Sequence, residues 1–80
     1  MAKQLRAYVR HGCHLCDDML RALQALRPQQ DFELSVIDIS GDAQLEARYG
    51  TRVPVLLGGE EELCYYFLDE DALRAYFRQA

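Results

Sequence analysis

At Gly12 the apolar residues change their period, and no other feature narrows the fold as much. Residues 4–10, Gln-Leu-Arg-Ala-Tyr-Val-Arg, alternate, with Leu5, Ala7 and Val9 on one side, the pattern of a β-strand. From Cys13 onward Leu15, Met19, Ala22, Leu23 and Leu26 recur at three- and four-residue steps, the stripe of an amphipathic helix. Asp17 and Asp18 fall in its first turn and Arg27 in its last, where the helix dipole favours each sign. Pro28 predicts the stop, because a proline ring clashes with a helical residue before it. The junction of strand and helix carries two of the three cysteines, as Cys13-His14-Leu15-Cys16.

The rest of the chain continues the alternation of strand and helix. Residues 32–39 read as a second strand, with Phe32, Leu34, Val36 and Ile37 supplying bulk. A Ser-Gly-Asp turn leads into a short helix over 43–49, and Gly50 sits where a left-handed residue would end it. Residues 52–57, interrupted by Pro54, read as a third strand, and 62–68 as a fourth that returns after Gly58-Gly59 as a hairpin. Asp69 caps a last helix whose Leu73, Tyr76 and Phe77 face inward. The order is β-α-β-α-β-β-α. The first two strands, joined through a helix, should lie parallel with a right-handed crossover, and the hairpin of the third and fourth antiparallel. This predicts an α/β domain, residues 1–80, with a mixed four-stranded sheet and helices on both faces.

Eighty residues make one small domain, burying about 60% of the unfolded surface. The net charge of −4 disfavours nucleic acid and anionic membranes as partners, since both call for a basic surface. The acidic run Glu60-Glu61-Glu62 reads as a solvated turn. No segment reaches the roughly 20 apolar residues of a membrane helix, and the first residues lack the apolar centre of a secretory signal. A cytoplasmic monomer is expected. In a reducing compartment a close cysteine pair points to redox or metal chemistry rather than a structural cross-link.

Residues three apart at a helix start share a face, so Cys13 and Cys16 can come within disulfide range. The unpaired N–H groups of the first turn and the positive end of the dipole favour a thiolate there. Cys13, nearest those groups, is the candidate nucleophile; Cys16, one turn deeper, is the candidate resolving thiol. Arg10, His11 and His14 add positive charge nearby and Asp17 and Asp18 oppose it. Two alternatives remain open at this point. One is a binding or adaptor domain that keeps the fold without catalysis. The other is a zinc site completed by Cys64 and His11 or His14, although no second Cys-x-x-Cys supports it. Cys64, between Leu63 and Tyr65, reads as a buried inert thiol, and Tyr65, Tyr66 and Phe67 read mostly as core.

A strand, then Cys-His-Leu-Cys opening a helix, then Val53-Pro54-Val55 some forty residues on, resembles the thioredoxin fold, and most closely its compact glutaredoxin-like branch. Residues 36–56, Val-Ile-Asp-Ile-Ser-Gly-Asp-Ala-Gln-Leu-Glu-Ala-Arg-Tyr-Gly-Thr-Arg-Val-Pro-Val-Leu, are similar to the thioredoxin pattern over the same span. The resemblance covers nearly the whole chain. It implies thiol–disulfide exchange through Cys13 and Cys16 on protein or low-molecular-weight disulfides, with a separate reductant and no bound cofactor. It also implies a cis Val53–Pro54 bond facing the cysteines, and a Val53 backbone that pairs with an extended substrate. Arg10 holds the place of the branch's usual lysine and keeps its charge as a substrate contact. Other places depart from the pattern. Gly12 replaces the tryptophan of thioredoxins, Arg52 stands where glutaredoxins have threonine, and Tyr66 and Phe67 stand where they carry a glycine pair. The acids that follow remain, so the usual set of residues for binding glutathione is incomplete.

Overall fold

The computed structural model describes residues 3–79. The chain runs β1 (Lys3–Val9), α1 (His14–Leu26), β2 (Phe32–Asp38), α2 (Ala43–Tyr49), β3 (Val55–Gly58), β4 (Glu61–Tyr65) and α3 (Glu70–Phe77). The four strands form one sheet in the order β2-β1-β3-β4. β1 pairs parallel with β2, with Lys3 opposite Phe32 and Val9 opposite Asp38, and antiparallel with β3, with Tyr8 opposite Val55. β3 and β4 form the antiparallel hairpin, in which Leu63 is the extra residue of a bulge between the Leu56–Cys64 and Leu57–Glu62 pairs. The mixed sheet and the order of elements match the expectation from apolar period.

Both faces of the sheet are covered. On one, Leu5, Ala7 and Val9 of β1 and Leu56 of β3 pack against Cys16, Met19 and Leu23 of α1 and Leu73 and Tyr76 of α3. On the other, Tyr8, Val55 and Leu57 pack against Ile39 and Tyr49, and the Tyr8 and Tyr49 rings stack at 4.4 Å. β1 is therefore buried on both sides, and Tyr8, on the opposite face from the Leu5-Ala7-Val9 row, belongs to the second core.

Several local expectations are corrected. β2 is an edge strand, so of its four bulky residues only Phe32 is buried, and Val36 is half exposed. Arg27 lies just beyond α1 as its C-cap, where its guanidinium donates to the Phe32 carbonyl at 3.2 Å. Gly50 ends α2 in right-handed conformation, φ −56°. Its smallness serves close approach instead. A Cβ there would run into the Glu46 carbonyl oxygen and lie 3.3 Å from Arg10 Nη2. β3 begins only after Pro54, which has no N–H to offer a ladder. β4 stops at Tyr65, because Tyr66 takes φ +65° and leaves extended geometry. Tyr65, Tyr66 and Phe67 consequently lie on the surface rather than in the core, with Phe67 68% exposed.

Candidate active site

Gly12 turns the chain from β1 into α1 with φ +77°, a conformation glycine adopts without a steric penalty. Cys13 follows as the N-cap of α1 in extended conformation. Its Sγ accepts the Cys16 N–H at 3.1 Å, and its carbonyl accepts the Asp17 N–H, also at 3.1 Å. The usual N-cap acceptor is a Ser, Thr, Asn or Asp oxygen. Here a sulfur does the capping and points at the orphan donors of the first turn. Cys13 is half-buried, at the margin of the α1/α3 core, while Cys16 is 2% exposed within it. Burial, reinforced by the hydrogen bond with Cys13, pushes the Cys16 thiol up to about 12. The two sulfurs, both free, thus occupy unlike settings one helical turn apart.

The Val53–Pro54 peptide bond is cis, and Pro54 is fully buried. The Pro54 carbonyl accepts the Tyr66 N–H at 2.9 Å. Val53 is half-buried at the margin of both cores, and among the described residues its own N–H and carbonyl make no backbone hydrogen bond in the loop. Cys13 and Val53 border the same α1/α3 core. Tyr66 contributes a second tie to the proline segment, donating its hydroxyl to the Thr51 carbonyl at 2.6 Å.

Arg10 stands at the end of β1 with its guanidinium engaged. Nη1 and Nη2 donate to the two Glu46 carboxylate oxygens at 2.8 and 2.6 Å, and Nη2 also to the Gly50 carbonyl at 3.0 Å. The hydrogen bonds from Arg10 hold the Glu46 carboxyl below the usual carboxylate range. The forked pair carries a positive side chain across to α2, a bidentate geometry arginine permits and lysine does not. Neither Glu46 nor Gly50 was legible as a partner of Arg10, since they lie 36 and 40 residues away in sequence. Tyr66 did leave a signal: a large residue where the resemblance calls for glycine.

His11 and His14 are exposed. Cys64 is half-buried on β4, opposite Leu56, and burial pushes its thiol up. Among the described residues no three His, Cys, Asp or Glu side chains gather as a metal site would require, and no helix is long and apolar enough to cross a membrane.

Comparison with known proteins agrees with this geometry. Residues 4–78 match the Glutaredoxin-like domain (DUF836). An uncharacterized protein of Mycobacterium tuberculosis is 32% identical over 77 residues, spanning 90% of this chain and 79% of its own. The solution structure of protein Ne2328 from Nitrosomonas europaea superposes with a TM-score of 0.87 at 46% identity, covering 96% of this chain and 93% of that one. The X-ray structure of XcR50 from X. campestris superposes with a TM-score of 0.74 at 39% identity, covering 95% and 97%. Thioredoxin 1 from Thermosipho africanus, at 20% identity and a TM-score of 0.60 over 91% and 92%, shares the fold. With a capping cysteine, a buried partner one turn below and a cis-proline segment on a thioredoxin-fold sheet, the chain belongs to the glutaredoxin-like domain family.

Proposed function

We propose that the protein is a thiol–disulfide oxidoreductase acting on protein or low-molecular-weight disulfides. The observation that carries the reading is the asymmetry of the two sulfurs. One caps the helix and reaches solvent; the other is buried and holds its proton up to about pH 12. The Cys13 thiolate attacks one sulfur of a substrate disulfide. A Cys13–substrate disulfide forms and the other substrate sulfur departs as a thiolate. Cys16 then gives up its proton and attacks Cys13 Sγ. This breaks the mixed disulfide, releases the second substrate thiol and leaves a Cys13–Cys16 disulfide. Substrate gains two electrons and the protein loses two; an external thiol reductant returns them. Negative charge leaves Cys13 as the mixed disulfide forms, and this frees the Cys16 proton to depart during resolution.

Val53 would hold an extended substrate through its N–H and carbonyl, and Pro54 would wall the cleft beside Cys13. Arg10 would meet the substrate as one half of an ion pair, because Glu46 already shares its charge. A disulfide-bearing protein suits a backbone-pairing site, and glutathione-type thiols remain within its chemical range.

The test is reduction of insulin disulfides by the parent and two variants, with dithiothreitol as the regenerating reductant. Cys13→Ser should lose exchange entirely. Prereduced Cys16→Ser, mixed with insulin after dithiothreitol is removed, should retain the first step and accumulate a protein–substrate mixed disulfide visible by mass spectrometry. A Cys13→Ser protein as fast as the parent would sink the assignment and leave a binding domain.

A further inference from the structure

We propose that Tyr66 is a positioning residue that clamps the segment 51–54, the substrate-holding strip of the reading above, on which this inference rests. Tyr66 takes φ +65°, the one positive φ outside glycine among the described residues. The Phe67 N–H donates to the Tyr65 carbonyl at 2.7 Å across it, the ring closure of a γ-turn. With a positive φ at its centre this is the rare, strained form of that turn. A bulky side chain seldom occupies such a backbone, and strain of this kind persists where the surroundings over-determine it, often beside a working site.

The surroundings here are two hydrogen bonds into one segment. The backbone N–H of Tyr66 reaches the Pro54 carbonyl at 2.9 Å, and its hydroxyl reaches the Thr51 carbonyl at 2.6 Å. Both ends of the four-residue segment are therefore held by a single residue from the β4–α3 connection. The ring also packs edge-on against Tyr65, centroids 5.0 Å apart. Tyr65 in turn lies under the guanidinium of Arg52, which pairs with Glu62 and donates to the Arg48 carbonyl. Val53, with no backbone partner in the loop, lies between the two clamped carbonyls. A substrate chain pairing with Val53 meets a strip already set in place, so binding costs less ordering.

This role predicts an effect on substrate binding rather than on sulfur chemistry. Tyr66→Phe removes only the bond to Thr51. Tyr66→Gly tolerates the positive φ and removes ring and hydroxyl together. With insulin as substrate, Tyr66→Phe should raise KM about three- to tenfold, the net worth of one hydrogen bond, and Tyr66→Gly should raise it at least as much. In both variants kcat, and the rate at which iodoacetamide alkylates Cys13, should stay within about twofold of the parent, since neither depends on strand pairing. An unchanged KM in both variants overturns the clamp. So does a fall in Cys13 alkylation matching the loss in kcat/KM, which would mark a general structural effect. A parent chain that reduces neither insulin nor a low-molecular-weight disulfide is a different result, removing the oxidoreductase reading itself and this proposal with it. One that reduces only the small disulfide keeps that reading and overturns the clamp.

Discussion

Cys16 sits among Leu5, Met19 and Leu23 rather than in water, and its proton stays on far longer than it would in an unfolded chain. The unfolded thiol ionises near its ordinary value, about 8.5, whereas the native one holds to about 12. Between those values the native state binds the extra proton, so raising the pH favours unfolding. The stabilisation is complete below the unfolded value and declines as pH climbs toward 12. The urea midpoint of the reduced protein should therefore fall between pH 8 and pH 10.5 more steeply than that of Cys16→Ala. Subtracting the two series removes the tyrosines, the lysine and Cys64, whose thiol is also raised by burial. Parallel slopes would mean that Cys16 is solvated. Sequence spacing placed Cys16 one turn behind Cys13. Part of the hydrocarbon around it comes from β1, β3 and α3, elements the motif does not include.

At the scale of elements, β3 and α3 meet through the smallest residue available. A Cβ on Gly58 would lie 2.7 Å from the Tyr76 ring, which cannot retreat freely. Its hydroxyl donates to the Gln4 carbonyl at 2.8 Å, and Lys3 Nζ lies 4.9 Å above the ring centre. Gly58→Ala should cost about 1–3 kcal/mol through overpacking, measured by urea denaturation. A neutral result would mean that α3 shifts outward without loss. In sequence Gly58 and Gly59 look alike, a pair of hairpin glycines. Only Gly59, with φ +61°, serves the turn; Gly58 serves the helix that begins twelve residues later. The extent of β4 was equally opaque. Its apolar run continues through Leu68, yet the left-handed conformation of Tyr66 ends the strand and turns Phe67 outward. Hydrophobicity alone does not tell a buried strand from a surface ledge.

Across the whole molecule, two cores share one thin sheet, and β3 serves both. Leu56 fills the α1/α3 side while Val55 and Leu57 fill the α2 side. A chain of this length has about 4–12 kcal/mol of stability in total. Leu56→Ala removes a fully buried side chain and should cost about 2–5 kcal/mol, a large share of that sum. Its denaturation midpoint should drop accordingly, and a loss under about 1 kcal/mol would show that the cores repack around the gap. Much of this architecture was legible beforehand. Apolar period changes at Gly12, at the Ser40-Gly41-Asp42 turn and at Asp69 delimit the helices, because a side chain's direction follows from its backbone's own repeat. The capping position of Cys13 follows from the same local rule. What waited for tertiary structure is whatever depends on residues distant in sequence. Glu46 and Gly50 take the charge of Arg10, β2 proves to be an edge, and Tyr66 bends against its own preference to hold Thr51 and Pro54. Local pattern records how a segment repeats. Which groups end up within hydrogen-bond reach is decided only when the segments pack.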